Sequence, residues 1–474
     1  MLPEMPETLR CDVAVIGAGT AGLAAERAAR SEGASTLLID PNYNGTTCAT
    51  VGCMPSKLLI AASHAAHAAR STGLFGITVG GIEIDGTAVM HRVRDERDRF
   101  ARLTREGIEK IPDHIRLKGR AKFVAPNRLQ LDDGRTVEAR SIVIATGSAP
   151  FVPDQYAHLG KHLLTNESIF ELQDLPLRLA VIGAGSLGLE LAQAMARLGV
   201  DVTLFDSGHR LGGIRCDKVH AALKEIIEDD LTLHLGVELK PNAKDDGVRL
   251  AWSGDSSGEA DFNYVLVATG RPPNLEQLGL AAAGLDLNDH GVPVHDRETM
   301  RCGESSIFLA GDVANDLPLL HEASHDGAIA GRNAVAFPTS IRADRFTAFS
   351  ITFTSPPVAR IGESEDDGVV TGTADFSNQG RARVEGTNEG VITLYAAAPD
   401  GRLIGADLCT PASEHLAHML AWAIQQGQTA SHLLEMPFYH PTIEEGLKKA
   451  LRTICAATPL ALPEHQDRGA PAGA

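Results

Sequence analysis

Residues 11–40, CDVAVIGAGTAGLAAERAARSEGASTLLID, have the pattern of a strand, a glycine turn, a helix and a second strand. The turn holds Gly17, Gly19 and Gly22, and the second strand ends at Asp40. Glycine at such positions allows a tight turn and lets the backbone approach a pyrophosphate at the helix N-terminus. An acidic residue about twenty positions later accepts hydrogen bonds from ribose hydroxyls. The stretch therefore predicts a dinucleotide-binding unit.

The same plan returns in LAVIGAGSLGLELAQAMARLGVDVTLFD, residues 179–206. Gly183, Gly185, Gly188 and Asp206 repeat the glycine turn and its acidic residue. The two copies begin about 170 residues apart. This separation predicts two dinucleotide-binding domains rather than a solenoid, whose repeats are much shorter.

The C-terminal part of the chain has a different texture and carries no nucleotide motif. After about residue 345, segments such as VITLYAAAPDGRLIGADL have the alternation of antiparallel strands. Ser413 is expected to cap the helix that follows, and Gly427 to end it.

Composition limits the class of protein. The chain has 474 residues, 43% of them apolar, and a net charge of −18, so we expect a multidomain globular protein that does not bind nucleic acid. The sequence lacks the run of about eighteen apolar residues that a membrane span needs. Its start, MLPEMPETLR, does not resemble a secretory signal, and its seven cysteines do not form a disulfide framework. The expected location is the cytoplasm.

Cys48 and Cys53 form the only close cysteine pair, in GTTCATVGCMPSK at residues 45–57. The residues that follow predict a helix, in which Pro55 is acceptable only near the first turn. A helix N-terminus favours the thiolate, so the pair is a candidate redox centre. Two buried, inert cysteines are one alternative. A metal site is another, but it lacks two further ligands nearby.

Two histidine motifs are candidates for proton transfer or metal binding. FYHPTIEEGLKKA, residues 438–450, places His440 five residues before Glu445, and a carboxylate so placed orients an imidazole and stabilises its protonated form. HEASH, residues 321–325, matches the HExxH pattern of zinc hydrolases. No third ligand stands out for HEASH, and we favour a structural role for it.

In combination, the glycine units, the CxxxxC pair and the HPTxxE motif resemble the pyridine nucleotide–disulfide oxidoreductases, and within that family the dihydrolipoyl dehydrogenases. The resemblance implies an α/β fold with two Rossmann-like dinucleotide-binding domains and a C-terminal α+β dimerisation domain. The implied domains are the first part of an FAD-binding domain at 1–150, an NAD-binding domain at 151–270, a return segment of the FAD domain at 271–344, and a dimerisation domain with a terminal tail at 345–474.

The resemblance also implies roles for the redox residues. Cys48 resembles the thiol that attacks the substrate disulfide, and Cys53 resembles the thiol that contacts the flavin. Lys57 resembles a lysine beside the flavin, which pairs with a glutamate, here Glu190. FAD would occupy the first glycine unit and NAD the second. The positions implied to contact the cofactors are Gly17, Gly19, Gly22, Asp40, Thr47, Lys57, Ala121, Thr146, Gly147, Gly311, Asp312, Gly183, Gly185, Gly188, Asp206 and Gly270.

The implied protein is a homodimer in which His440 of one subunit, oriented by Glu445, is the acid–base catalyst of the other subunit. A small dithiol of the lipoamide type, either free or as a lipoyl group on a separate carrier protein, would reduce the Cys48–Cys53 disulfide by exchange. Electrons would then pass through FAD to NAD. The resemblance implies no nucleic-acid or membrane partner.

Several positions depart from the family pattern. Thr46 and Thr50 stand where the family usually has Gly and Asn, and Phe438-Tyr439 stands where dihydrolipoyl dehydrogenases commonly have His-Ala. The two aromatic residues would narrow or reshape the channel for the disulfide.

Other reductases and one non-catalytic class remain as alternatives. Arg210 near Asp206 would suit an NADPH-linked enzyme like glutathione reductase. Mercuric reductases have a C-terminal cysteine pair, whereas Cys455 is the only cysteine near the end of this sequence. Soluble transhydrogenases generally lack the CxxxxC pair. A non-catalytic FAD-binding protein that binds a partner through its acidic surface is the alternative from another class.

Overall fold

The computed structural model describes residues 7–364, 368–458 and 460. The end of the predicted terminal tail, residues 461–474, lies outside the described residues. The strands are β1 (Thr8–Ile16), β2 (Thr36–Asp40), β3 (Arg116–Lys118), β4 (Ala121–Ala125), β5 (Arg128–Leu131), β6 (Thr136–Ile144), β7 (Leu163–Leu164), β8 (Arg178–Ile182), β9 (Asp201–Phe205), β10 (Thr232–His234), β11 (Val237–Lys244), β12 (Gly247–Gly254), β13 (Gly258–Phe262), β14 (Tyr264–Val267), β15 (Ile307–Leu309), β16 (Phe349–Thr352), β17 (Val358–Gly362), β18 (Val369–Asp375), β19 (Val391–Ala397) and β20 (Arg402–Cys409). The helices are α1 (Thr20–Ser31), α2 (Thr47–Thr50), α3 (Cys53–Arg70), α4 (Gly86–Glu109), α5 (Ser186–Arg197), α6 (Asp217–Asp230), α7 (Leu320–Ala336), α8 (Gly380–Glu385), α9 (Ser413–Gln425), α10 (Ala430–Glu435) and α11 (Leu447–Ala457).

Among the described residues, the first compact unit comprises 7–55, 94–151 and 270–346. Its sheet has the order β3-β2-β1-β6-β5-β4, with β15 also paired to β6. β1 runs parallel to both β2 and β6. The end of β1, with the apolar run Val13–Ile16, is buried, as expected for a parallel strand covered on both faces.

Helices α1 and α7 of this unit pack closely because two glycines of α7 lie against the backbone of α1. A Cβ built on Gly327 would lie 2.1 Å from the carbonyl oxygen of Ala21, and one on Gly331 would lie 2.3 Å from that of Ala25. Only glycine fits at both places, so the helix after the first glycine turn is held tightly against α7.

Among the described residues, the second compact unit comprises 56–93, 152–269 and those from 347 onward. One of its sheets has the order β10-β9-β8-β14-β7, and its neighbouring strands pair in parallel. The turn between β8 and α5 carries the second glycine set. The parallel sheets of the two units agree with the predicted α/β class.

The C-terminal part of the second unit is built around an antiparallel sheet with the order β16-β17-β20-β19-β18. Apolar residues of α9 and α11 join the core that this sheet forms. The expected cap at Ser413 is wrong, because Ser413 is the first residue of α9 and Ala412, with φ 57°, is the cap. The Ser413 hydroxyl instead donates to the carbonyl oxygen of Thr410 at 2.8 Å. The domain limits predicted from the sequence stay predictions.

Candidate active site

The segment that carries the cysteine pair folds back on itself. Thr46 caps α2, since its hydroxyl accepts a hydrogen bond from the Ala49 amide, and the Thr50 hydroxyl donates to the Thr46 carbonyl at 2.9 Å. A Cβ on Gly52 would lie 3.0 Å from the Thr47 carbonyl oxygen and 3.4 Å from the Cα of Cys48. The two threonines that depart from the family pattern therefore stabilise this turn, and Gly52 allows the chain to return toward Cys48.

Cys48 and Cys53 lie at the starts of helices. Cys48 is the second residue of α2 and is half-buried, whereas Cys53 is the first residue of α3 and is exposed. Pro55 occupies the first turn of α3, as predicted. The positive end of the α3 dipole favours a thiolate at Cys53.

Most of the other cysteines are poor candidates for thiol chemistry. Burial raises the pKa of Cys11 and of Cys302 to about 12, and it also raises the pKa of Cys409 and of Cys455. A thiol with a raised pKa is a weak nucleophile near neutral pH. Cys216 is buried and its sulfur contacts the Thr393 hydroxyl at 3.3 Å.

Lys57 and Glu190 form an ion pair in the second unit. The Lys57 ammonium lies 2.7 Å from Glu190 Oε2, and the backbone amide of Phe353 donates to Glu190 Oε1 at 2.8 Å. The same ammonium lies 4.4 Å from the centroid of the Phe353 ring. Glu190 is buried, so its charge needs both partners. The structure thus brings together two residues that lie far apart in the sequence and that were predicted to pair.

His440 and Glu445 form a hydrogen-bonded dyad. His440 Nδ1 lies 2.8 Å from Glu445 Oε2, and the imidazole is half-exposed while the carboxylate is buried. Burial raises the pKa of Glu445, but hydrogen bonds from His440, Lys448 and the Thr442 amide outweigh it and lower the pKa overall. An ionised, fixed carboxylate orients the imidazole and leaves Nε2 for a reacting group.

In the first glycine set, two glycines lie against the backbone and the third faces open space. A Cβ on Gly17 would lie 2.4 Å from the Ala145 carbonyl oxygen, and one on Gly22 would lie 1.8 Å from the Gly17 carbonyl oxygen. At Gly19 a Cβ would meet nothing within 4 Å, so space for a ligand opens there. Gly17 and Asp40 also line a cavity of about 930 Å³, together with Ala121, Thr146 and the segment 272–278. A cavity of this size suits a nucleotide.

Asp40 closes the first glycine turn. Its Oδ2 accepts from the Ala18 amide at 2.9 Å, and its Oδ1 accepts from the amides of Asn42 and Tyr43 at 2.9 and 2.7 Å. The carboxylate is therefore fixed at the cavity edge, with one acceptor site on Oδ2 left for a ribose hydroxyl.

Asp312 is held by residues that the sequence reasoning did not identify. The Ser148 hydroxyl donates to Asp312 Oδ2 at 2.9 Å, and Arg271 Nε donates to the Ser148 hydroxyl at 3.2 Å. Thr146 and Asn274 exchange hydrogen bonds at 2.8 and 3.0 Å. Thr146, predicted as a cofactor position, is thus fixed by a segment that lies about 130 residues later in the sequence.

A buried ion cluster supports Gly311. Arg345 Nη2 lies 2.6 Å from both Glu322 Oε2 and Asp326 Oδ1, and Asp326 Oδ2 accepts from the Gly311 amide at 3.2 Å. Glu322 of the HEASH motif therefore forms an ion pair with Arg345. His325 of the same motif stacks on Phe346, with ring centroids 4.0 Å apart. The described residues hold no group of three or more His, Cys, Asp or Glu arranged for a metal.

The second glycine set repeats the geometry of the first. A Cβ on Gly183 would lie 2.5 Å from the Ala268 carbonyl oxygen, whereas Gly185 faces open space. Asp206 Oδ2 accepts from the Ala184 amide at 2.6 Å and Oδ1 from the Gly208 amide at 2.7 Å. Gly188 and Gly270 complete the predicted set: a Cβ on Gly188 would lie 1.9 Å from the Gly183 carbonyl oxygen, and Gly270 has a φ of +137°.

Arg210 lies near this ribose position but is already engaged. Its Nη2 lies 2.6 Å from Asp217 Oδ1, and its Nη1 donates to the Arg215 carbonyl oxygen at 3.1 Å. The guanidinium that would attract a ribose phosphate is held in an exposed ion pair with a neighbouring carboxylate.

Two dinucleotide cradles, a cysteine pair at helix starts and a histidine–carboxylate dyad define a class of flavin- and nicotinamide-linked disulfide oxidoreductases. The family profile described as "Pyridine nucleotide-disulphide oxidoreductase" matches residues 11–327, and the profile of its dimerisation domain matches residues 348–451. The chain belongs to the pyridine nucleotide-disulphide oxidoreductase family, which confirms the family and the fold class predicted from the sequence. The second match supports a homodimer.

Relatives with established names span more than one reductase type. The dihydrolipoyl dehydrogenase of Halobacterium salinarum is 29% identical, and the alignment covers 93% of this chain and 95% of that protein. The mercuric reductase of Acidithiobacillus ferrooxidans is 33% identical over 93% of this chain and 82% of that protein. LpdA from Mycobacterium tuberculosis shares the fold, with a TM-score of 0.80 at 23% identity over 94% of this chain and 99% of that structure.

The residues of this chain fit the cofactors of the family. Gly19 and Gly185 leave open space where a pyrophosphate would approach, and Asp40 and Asp206 are fixed where ribose hydroxyls would lie. Family membership confirms the predicted cofactors, FAD and a nicotinamide dinucleotide. Within the described residues, no helix has the length and apolar character needed to cross a membrane.

Proposed function

We propose that this protein is an FAD-dependent, NAD-linked dithiol–disulfide oxidoreductase that acts on a small disulfide of the lipoamide type. The observation that carries the proposal is the His440–Glu445 dyad, with a half-exposed imidazole held at 2.8 Å by a buried carboxylate. An oriented base of this kind serves thiol exchange. Cys48 and Cys53 supply the exchanging sulfur atoms.

The residues divide the exchange among themselves. In the oxidised protein, one substrate thiolate attacks Cys48 Sγ, forms a mixed disulfide and displaces Cys53 as a thiolate. The second substrate thiolate then attacks the substrate sulfur of the mixed disulfide and displaces Cys48, so the substrate leaves as a disulfide. His440 Nε2 takes up one thiol proton and releases it to solvent before it takes up the second, and the charge of Glu445 stabilises the imidazolium that forms each time. When bound, FAD and the nicotinamide carry away the electron pair from the dithiol. Lys57 and Glu190 fix the start of α3, on which Cys53 lies.

Asp206 and Arg210 favour NAD over NADP. The Asp206 carboxylate repels a 2′-phosphate and accepts hydrogen bonds from a 2′-hydroxyl. Arg210, the residue that would bind such a phosphate, is paired with Asp217 at 2.6 Å. We therefore propose NAD(H) as the working nucleotide.

The aromatic pair before the catalytic histidine has two different roles in this proposal. Phe438 packs against the core of the C-terminal sheet, whereas Tyr439 is 83% exposed. Tyr439 is thus the aromatic residue that a disulfide approaching His440 would meet. The substrate would be a free small disulfide or a lipoyl group on a separate carrier protein in the cytoplasm, and His440 would act on the cysteine pair of the partner subunit.

Mercuric reduction is the second candidate, and the 33% identity to a mercuric reductase is the observation in its favour. Cys455, the only cysteine after Cys409 in the sequence, is buried in the C-terminal core. It therefore cannot act as an exposed thiol for Hg²⁺ in this fold, and the disulfide substrate is the stronger proposal.

Initial rates of nucleotide oxidation compare these substrates directly. We expect the purified flavoprotein to oxidise NADH with lipoamide at least about tenfold faster than NADPH with glutathione disulfide or NADPH with Hg²⁺. A faster rate with NADPH and Hg²⁺ would instead assign the mercuric activity. A protein that retains its flavin and shows no acceptor-dependent rate would be a non-catalytic flavoprotein.

A further inference from the structure

The carboxylate of the dyad contacts a lysine as well as the histidine. The Lys448 ammonium lies 3.1 Å from Glu445 Oε1, and the lysine side chain is only 14% exposed. The other oxygen, Glu445 Oε2, holds His440 Nδ1 at 2.8 Å. Glu445 therefore carries one basic group on each oxygen, and the HPTxxE motif gives no sign of the second.

The i,i+3 spacing brings Lys448 beside Glu445, but the helix dipole and burial both disfavour a lysine here. Lys448 is the second residue of α11, where the positive end of the helix dipole disfavours a cation. Its burial is unfavourable as well unless the charge has a partner. The Phe438 ring lies 5.0 Å from the ammonium and covers it. The partners that compensate for this placement are thus Glu445 and the aromatic residue that departs from the family pattern.

Lys448 affects the ionisation of Glu445 and, through it, the position of the hydrogen on His440. Burial raises the pKa of Glu445, and the hydrogen bonds from His440 and Lys448 more than compensate and lower it. An ionised carboxylate can only accept, so His440 Nδ1 carries the hydrogen and Nε2 carries the lone pair. A positive charge on the far oxygen also opposes a second positive charge on the imidazole.

Two polar groups on other elements of this unit have partners of their own. Asp375, at the end of β18, accepts a hydrogen bond from the Ser377 amide at 2.7 Å and senses the charge of the exposed Lys449. From α8, the neutral Gln379 side chain donates to the Thr442 carbonyl oxygen at 2.7 Å. Lys448 is therefore the cation whose removal would change the charge balance at Glu445.

We propose that Lys448 is a positioning residue that acts through Glu445 to fix the tautomer of His440 and to keep its imidazole less basic than a histidine–glutamate pair alone would be. A less basic imidazole is neutral at a lower pH and can accept a thiol proton there. The significance of this setting rests on the proposed function, but its measurement does not require a substrate.

Nuclear magnetic resonance of ¹³C-labelled histidine tests the proposal, with the His440 signal identified by its absence in H440Q. In Lys448→Met we expect the titration midpoint of His440 to rise by about 1 pH unit, and the acid limb of the lipoamide pH–rate profile to move in the same direction. Lys448→Arg restores the wild-type midpoint because it keeps the charge. Lys449→Met, the matched control, leaves it unchanged. K448Q replaces K448M if the methionine variant does not fold.

The outcomes separate this proposal from the proposed function. An unchanged His440 midpoint in both K448M and K448Q, or an equal rise in K449M, overturns the role of Lys448. A rise in K448M together with a wild-type protein that does not turn over lipoamide supports the role of Lys448 and contradicts the substrate. A wild-type protein that turns over lipoamide, with no rise of the His440 midpoint in K448M, supports the substrate and contradicts the role of Lys448.

Discussion

Glu445 illustrates how single residues in this protein combine burial with charge. Its side chain is 3% exposed, yet three hydrogen-bond donors reach it, from His440, Lys448 and the Thr442 amide. Because these donors lower the pKa of Glu445 below its ordinary value, the charged form stabilises the folded state. That contribution is complete above the ordinary pKa of about 4.5 and is lost as the pH falls through the lower folded-state value.

The pH dependence of stability therefore gives a prediction for Glu445→Gln. We expect the variant to lower the apparent Tm by about 2–4 °C at pH 7, because it leaves the buried Lys448 without a charged partner. The difference from wild type should shrink as the pH falls below about 4.5. Thermal unfolding followed by circular dichroism at several pH values measures both, with E444Q as the neighbouring control. A Tm difference that is constant between pH 7 and pH 4 would contradict the charge argument.

Some site residues could be predicted from the sequence and others could not, for a physical reason. Glu445 lies five residues from His440 and was expected as its partner, and the structure places the two in contact. Ser148 and Arg345 were missed because their roles depend on which segments the fold brings together. Lys448 lies three residues after Glu445, a spacing at which helical side chains meet, but the sequence does not show that this pair is largely buried beside His440.

The contact between α1 and α7 supports the first glycine turn. Gly311, whose φ is +79°, lies against Ala21 of α1, and its amide is held by Asp326 of α7. Gly331 of α7 lies so close to α1 that a Cβ would be 2.3 Å from the Ala25 carbonyl oxygen. Any separation of these helices would move the glycine turn that faces the cofactor.

Two helical glycines give a matched test of this element. Gly331→Ala should destabilise the protein by about 1–3 kcal/mol and release FAD more readily, because the new methyl group overlaps α1. Gly107→Ala in α4 faces open space and should stabilise by about 0.5–1 kcal/mol. Thermal unfolding and the fraction of flavin that survives gel filtration measure the two effects. Equal stability of the two variants would show that the close helix contact is not rigid.

Sequence patterns predicted elements better than their contacts. The strand–glycine–helix–strand units are recognisable because period, glycine spacing and the acidic residue all act locally. The GAIAG sequence at 327–331 in α7 was not identified as a helix contact, since its meaning depends on α1, which lies about three hundred residues earlier. The cap at Ser413 was wrong for a related reason, because Ala412 adopts a left-handed conformation that the sequence does not indicate.

For the molecule as a whole, the proposed function makes the active site a shared one, built from residues of two subunits. The family match to residues 348–451 supports a homodimer, and the proposed function places His440 of one subunit beside the cysteine pair of the other. In such an arrangement neither subunit is active without its partner. Two inactive variants that carry different lesions can then complement each other, which a site built within one chain cannot do.

The most direct test is the initial rate of NADH oxidation with lipoamide for Cys48→Ser, His440→Gln and the two variants expressed together. We predict that each variant alone loses at least about 99% of the activity, and that random mixing restores about a quarter of it, because half the dimers carry one intact site of two. Cys11→Ser, remote from the dyad in sequence and retaining its flavin, should keep the wild-type rate. A wild-type rate in C48S would contradict the redox role of the pair, and inactive mixed dimers would contradict the shared site.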